Sequence, residues 1–182
     1  MFIWENAVIT NKGNALLSKL IEGNTLSITK AVTGAGYVTP GLLQAQEVVS
    51  DIKQTISFRP ITYPEEGKCC LPCYLTNDEL DTAYTAKQVG VYANDPDEGE
   101  ILFFIAQAPA NNGTPIPSKD ESPGYNAEWT FYFQYGQADN VTLKVDPSNV
   151  VNTIIMERYV TEYVESNIMA LSIAEIDEVT PI

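Results

Sequence analysis

Apolar positions in this chain recur at two spacings, two and about three and a half residues, and the clearest block of the first kind is residues 84–107. Two apolar runs, 84–93 and 100–107, flank Asn94-Asp95-Pro96-Asp97-Glu98-Gly99. Proline sets φ, glycine accepts φ > 0, and Asn or Asp side chains bond nearby backbone, so the pattern predicts a β-hairpin with a longer loop. On its first strand Val89, Val91 and Ala93 share one face, opposite Gln88, Gly90 and Tyr92. The second strand, Ile101-Leu102-Phe103-Phe104-Ile105-Ala106, is apolar on both faces. It is expected to be covered on both sides, by its own fold or by another copy of the chain.

The remaining pattern fills in around this hairpin. Residues 2–9 read as a strand, and Thr10 or Asn11 caps a helix in which Leu16, Leu17, Leu20 and Ile21 share a face. Residues 26–32 form a strand followed by a Gly-containing loop, 33–41. Leu42, Leu43, Val49 and Ile52 predict a short helix over 42–52. Strands follow at 55–63 and 69–76, each carrying a proline (Pro60, Pro72) that points to an edge or a bulge. Residues 108–127 are a long irregular excursion. In the strand 128–135, Trp129, Phe131, Phe133 and Tyr135 alternate with Thr130, Tyr132 and Gln134, and 141–145 closes the sheet. Asp146-Pro147-Ser148 then ends the sheet domain.

From 148 to about 171 the pattern is helical, with Met156, Tyr159 or Val160, Tyr163 and Asn167 along one stripe. Its heptads are interrupted at Ser166 and Asn167, so no long coiled coil is expected. A final segment opens with a capping box, Ser172 and Glu175, and sets Ile173, Ile176 and Val179 on a small apolar edge. Too short to hold a helix alone in water, it is expected to dock on a partner or fray. The fold class is therefore α+β. A mostly antiparallel β-sheet domain with one or two packed helices (1–147) precedes a projecting C-terminal helix and short acidic docking tail (148–182).

Composition narrows the function. With 10 Lys plus Arg against 24 Asp plus Glu, the 182-residue chain carries a net charge of −14. Such a field repels phosphate backbones, so nucleic acid is not an expected partner. The chain has no histidine. Ser-His-Asp and Cys-His catalysis cannot be built, and the commonest non-thiolate metal ligand is missing. No signal peptide is read at the N-terminus and no apolar run approaches a membrane span, so no membrane insertion is expected.

Each remaining chemical motif has a plainer explanation. Cys69, Cys70 and Cys73 lack a fourth zinc ligand, and on a strand Cys70 points away from the other two; packing in a reducing compartment is the better reading. Asp95, Asp97, Glu98 and Glu100 contain calcium-ligand chemistry without an EF-hand's distal glutamate, and the same residue types build the turn. Gly34-Ala35-Gly36 has no phosphate-binding register. The alternating aromatic strand offers a stacking face for sugars, but such alternation is ordinary strand packing. No cofactor, metal or catalytic residue is expected.

Four segments resemble the phage tail-collar fibre family, the N-terminal domains of phage tail fibre and baseplate proteins. They are Ala7-Val8-Ile9-Thr10-Asn11-Lys12-Gly13-Asn14-Ala15-Leu16-Leu17, Ile28-Thr29-Lys30-Ala31-Val32-Thr33-Gly34-Ala35-Gly36, Gln88-Val89-Gly90-Val91-Tyr92-Ala93 with Asp95-Pro96-Asp97-Glu98-Gly99-Glu100-Ile101-Leu102, and Asn140-Val141-Thr142-Leu143-Lys144-Val145-Asp146-Pro147. They occur in the family's order, with Gln88 where a glutamate is expected. The resemblance implies a non-catalytic virion protein in a phage tail or tail-like particle, made in the bacterial cytoplasm, homotrimeric and bound to other tail or baseplate proteins. With only a helix and short tail after the collar-like domain, an attachment or adaptor role is expected; a receptor- or glycan-binding tail module is the alternative. Trp129, Phe131, Phe133, Met156, Tyr159 and Tyr163 are the expected oligomer interface, and Ile173, Ile176 and Val179 the expected docking edge.

Overall fold

A computed structural model of the protein describes residues 4–20, 26–65, 68–134 and 143–145. All lie within the compact unit Met1–Val150. The expected C-terminal helix and tail, with Met156, Tyr159, Tyr163, Ile173, Ile176 and Val179, lie outside the described residues.

The described residues form a mostly antiparallel sheet with one α-helix. The strands are β1 (Asn6–Ile9), β2 (Leu26–Gly34), β3 (Ile52–Phe58), β4 (Thr62–Glu65), β5 (Lys68–Thr76), β6 (Tyr84–Ala86), β7 (Gln88–Asp95), β8 (Gly99–Gln107), β9 (Thr114–Ile116), β10 (Asn126–Gln134) and β11 (Leu143–Val145), with α1 (Asn11–Leu20) after β1. Nine strands join in one sheet: seven follow the path β1-β8-β7-β2-β3-β5-β10, β11 pairs with β2 and β4 with β5, while β6 and β9 pair separately. The one parallel pairing sets β11 beside the start of β2. β3 carries the sheet round its corner, pairing first with β2 and then, at Ser57 and Phe58, with β5. The curl brings the two ends of the path together. Just before β1, Trp4 packs edge-on against Trp129 of β10 with ring centroids 5.3 Å apart, and Phe104 of β8 lies 5.2 Å from Phe131.

The predicted hairpin forms, and its doubly apolar strand is covered on both faces by its own chain. Ile101, Phe103, Phe104 and Ala106 face the main core, which also holds Val89, Val91 and Ala93 of β7, Leu16 and Leu20 of α1, and Trp129 and Phe131. Leu102 and Ile105 face a second, smaller core with Val32, Leu43, Val49 and Tyr92. Two neighbours, Phe103 and Phe104, share a face because the ladder slips there: Val91 pairs with Phe104 but Tyr92 with Leu102. Phe103 is the extra residue of a β-bulge. Its carbonyl, beyond the end of β1, accepts the Thr10 backbone N–H at 3.0 Å. Thr10 also caps α1, its Oγ1 accepting the Gly13 N–H at 2.9 Å. Bulge and cap together seat the helix on β8.

Four expectations are corrected. Residues 42–52 are not one helix: a 3-10 turn, Pro40–Ala45, gives way to a bend at 47–48 and a turn at Ser50–Asp51, and Ile52 opens β3. Pro60 breaks its strand outright, separating β3 from β4. Pro72 is not at an edge, because β5 lies between β3 with β4 and β10. Its carbonyl accepts the Arg59 N–H at 2.9 Å, so its donor-less nitrogen faces the side where β3 has just ended and no ladder bond is lost. Finally, the excursion 108–127 contains β9, which pairs with β6.

Candidate functional site

Trp129 and Phe131, expected at an oligomer interface, are instead buried in the chain's own main core. The sheet's curl, invisible in a strand's alternation pattern, turns that face inward against Trp4 and Phe104. Phe133 pairs with Cys69 in the same ladder. Burial also takes Trp129 and Phe131 away from any sugar-stacking face. The cysteines follow strand alternation: Cys69 and Cys73 are buried with Leu71 and Leu75, and Cys70 lies on the other face. Burial, reinforced by the charge of Glu128, pushes the Cys73 thiol far above its ordinary value, which suits packing rather than nucleophilic chemistry. Among the described residues, no group of cysteines and carboxylates is arranged to hold a metal ion.

The acidic hairpin tip is tied to lysines. Asp95, whose side chain is 1% exposed, accepts Lys19 Nζ at 2.8 Å, and Asp97 meets the same ammonium at 2.9 Å. Asp95 Oδ1 also accepts the backbone N–H of Asp97 at 2.8 Å and of Glu98 at 3.2 Å, the geometry of an Asx turn. Glu98 pairs with Lys12 at 3.1 Å. Glu100 receives both Thr29 Oγ1 at 2.7 Å and Lys30 Nζ at 2.5 Å. Adjacent strand residues ordinarily point to opposite faces. These two reach one carboxylate because β2 has its own bulge there, Ile28 pairing with Ala93 and Lys30 with Tyr92.

The Lys19 bond, then the two backbone donors, hold the Asp95 carboxyl below its ordinary 3.8. A depressed carboxylate adds stability in full above that value and loses it as pH falls through it toward the folded-state pKa. Asp95→Asn is therefore expected to lower the melting temperature at neutral pH, with the gap to the wild type narrowing as pH falls below 3.8. Thermal melts at both pH values check this; a gap that stays constant would contradict it.

The feature best suited to contact another molecule is the segment 35–51 between β2 and β3. It lies across the sheet with Leu43 and Val49 in the second core and Val38 packed against it. Polar bonds from three amides hold it. Gln88 and Gln107, both fully buried, are joined by Gln88 Nε2 donating to Gln107 Oε1 at 2.6 Å. Gln88 Oε1 accepts the Ser50 N–H at 2.8 Å. Gln107 accepts the Val38 N–H at 3.0 Å and donates to its carbonyl at 2.8 Å. Gln46 donates to the Val48 carbonyl at 2.8 Å and to Gln88 Oε1 at 3.3 Å. The Tyr92 hydroxyl accepts the Val49 N–H at 3.2 Å. Lys12 of α1 joins this segment to the hairpin tip, reaching Glu47 at 3.3 Å as well as Glu98.

From this well-held segment and the first residue of β3, apolar side chains face solvent. Tyr37, Leu42, Val48 and Ile52 are four of the five exposed large hydrophobics among the described residues; Leu42 is 63% and Val48 62% exposed. Sequence periodicity missed them, placing Leu42 and Ile52 on the same stripe as the buried Leu43 and Val49. The available signal was Gln88 and Gln107, two glutamines bordering otherwise apolar strands, since buried amides must find partners.

At the level of class, this is a curled antiparallel β domain carrying a braced apolar loop. No family model matches the chain, and no curated protein or solved structure does. Among the described residues no helix is long and apolar enough to cross a membrane.

Proposed function

We propose that this protein is a structural, non-catalytic subunit of a phage tail or phage-tail-like particle. It acts as a tail-fibre-type attachment or adaptor subunit, self-associates as a homotrimer and binds other tail or baseplate proteins. The observation that carries the reading is an adjacency. The four segments resembling the tail-collar fibre family fall on β1 with α1, β2, β7 with β8, and β11. Those strands are neighbours, β1 beside β8, β8 beside β7, β7 beside β2 and β2 beside β11. Residues scattered over the chain thus build one continuous half of the sheet, as a unit shared with a family would. The strands outside that half carry no part of the resemblance.

Two earlier reasons for self-association fall away, because β8 and the Trp129–Phe131 face are dry within one chain. The trimer rests on the resemblance and on the expected C-terminal helix with its stripe Met156, Tyr159 and Tyr163. The attachment role gains a surface: a loop braced by buried amides loses little conformational freedom on binding, and its exposed apolar side chains release water when covered. The glycan-binding alternative loses Trp129 and Phe131 from its stacking face.

Light scattering and imaging test the proposal. The expected mass is three times the 20.0 kDa chain, and labelled protein is expected to decorate purified tails at a fixed position. Leu42→Glu with Val48→Glu is expected to keep fold and mass while abolishing decoration. A monomer that binds no tail, at any concentration tested, would overturn the assignment.

A further inference from the structure

The chain contains a single Asn-Gly pair, Asn112-Gly113, in the loop between β8 and β9. Asn112 is exposed. Its backbone N–H is bonded to the Pro109 carbonyl at 3.0 Å, which holds the turn. The Gly113 N–H donates to Asn112's own side-chain Oδ1 at 2.9 Å, and β9 begins only at Thr114. The Gly113 nitrogen therefore sits against the side-chain amide of the preceding residue, whose carbon lies one carbonyl bond, about 1.2 Å, from the bonded oxygen. The hydrogen bond thus keeps the nitrogen that would attack beside the side-chain amide it would attack. Glycine offers no side chain to obstruct the approach.

We infer that Asn112 is a site of spontaneous deamidation poised by the folded loop, and that the modification releases the β6–β9 pair. The Gly113 amide, after losing its proton to hydroxide, attacks Cγ of Asn112. A nitrogen–Cγ bond forms, the Cγ–Nδ2 bond breaks, and Nδ2 leaves as ammonia on taking a proton from water. The product is a five-membered succinimide. Water then adds to either ring carbonyl and breaks that carbonyl's bond to the ring nitrogen, leaving aspartate or isoaspartate. The net change is one water consumed and one ammonia released, with no oxidation or reduction.

The surroundings make the two products unequal in effect. Gly113 is pressed onto β6: a Cβ there would lie 2.6 Å from Thr85 Cγ2 and 2.7 Å from the Ala86 carbonyl oxygen. The next residue enters the ladder at once, Thr114 pairing with Ala86, Pro115 with Thr85 and Ile116 with Tyr84. Isoaspartate routes the main chain through the side-chain carbon and adds a methylene between residue 112 and this tight contact. Thr114 is displaced, and a ladder of only three pairs has nothing in reserve. Aspartate adds a charge without lengthening the chain and leaves the pairing intact.

Incubating the full-length protein at mildly alkaline pH, with peptide mass mapping over time, tests the chemistry. Residue 112 is expected to gain one mass unit at least about tenfold faster than Asn111, its neighbour in the same loop. It is also expected to convert no slower than in a synthetic peptide of residues 108–118. Equal retention of Asn111 and Asn112, or slower conversion in the protein than in the peptide, would overturn the inference. Hydrogen exchange tests the consequence. Aged protein is expected to lose protection at 84–86 and 114–116 while β7 and β8 keep theirs; Asn112→Asp is expected to exchange like fresh protein, and Asn112→Gln to resist ageing. Unchanged protection in protein that carries isoaspartate would refute the release of β9.

Discussion

Replacing Gly13 with alanine is expected to destabilise the protein by about 3 kcal/mol, at the upper end of overpacking costs. For a chain of this size that is a melting-temperature loss of roughly 6–12 °C. Two effects of opposite sign compete at this position. On a helix alanine is intrinsically better than glycine by up to about 1 kcal/mol, so propensity alone forecasts stabilisation. Packing forecasts the reverse, because a Cβ at Gly13 would stand 2.2 Å from the Phe103 carbonyl oxygen and 2.8 Å from Ile9 Cγ2. The first of these neighbours is backbone, fixed by the Phe103 bulge and already bonded to the Thr10 N–H, so it cannot swing aside. The helix would have to lift from β8, uncovering Leu16 and Leu20, which are 1% and 3% exposed. Gly41→Ala, with nothing within 4 Å of the added carbon, is the matched control and is expected to be near neutral. A stabilised Gly13→Ala variant in thermal melts would show that the helix does not approach β8 this closely.

Substituting Gln88 with leucine is expected to cost about 3 kcal/mol or more, since each buried polar group left without a partner costs about 1–3 kcal/mol. The Ser50 N–H and one lone pair of Gln107 lose their bonds together, and the bracing of residues 46–51 goes with them. Hydrogen exchange should therefore quicken first in that segment, ahead of β7 and β8. Gln88→Glu, the residue the resemblance leads one to expect, discriminates further. A carboxylate can still accept from Ser50, but it would face Gln107 Oε1, now 2.6 Å from Gln88 Nε2. Rotating the Gln107 amide to donate instead would reverse both of its bonds to Val38. The glutamate's folded pKa would thus be raised, and the variant is expected to weaken as pH rises above the ordinary carboxylate value, about 4.3. Denaturation at two pH values measures this; a Gln88→Glu protein as stable as the wild type at neutral pH would mean the three amides do not act as one network.

The elements set by local chemistry were legible in the residues. Alternation over 88–93, the Asp-Pro-Asp-Glu-Gly turn and the Thr10 cap each depend on neighbours a few positions away, and each formed where expected. Elements that depend on distant partners were not. Pro72 reads as an edge signal until β3 is seen to stop beside it, and Leu42 reads as core until the chain folds back through Ser50 to Gln88. The bulges at Phe103 and Thr29 have no local signature, because a bulge is a relation between two strands.

Sequence by itself determined a mostly antiparallel sheet with a central hairpin, a helix starting at Thr10 or Asn11, and no histidine with which to build the commonest catalytic centres. Periodicity and turn chemistry act over a few residues, so those outcomes needed no knowledge of the whole. Only the tertiary structure decided which apolar faces are spare. The curl at β3 buries Trp129 and Phe131 against Trp4 and Phe104, and it leaves Tyr37, Leu42, Val48 and Ile52 outside on a braced loop. Burial is set by what packs on a face from elsewhere in the chain, and an alternating pattern is the same whether that face turns toward a core, a partner or water.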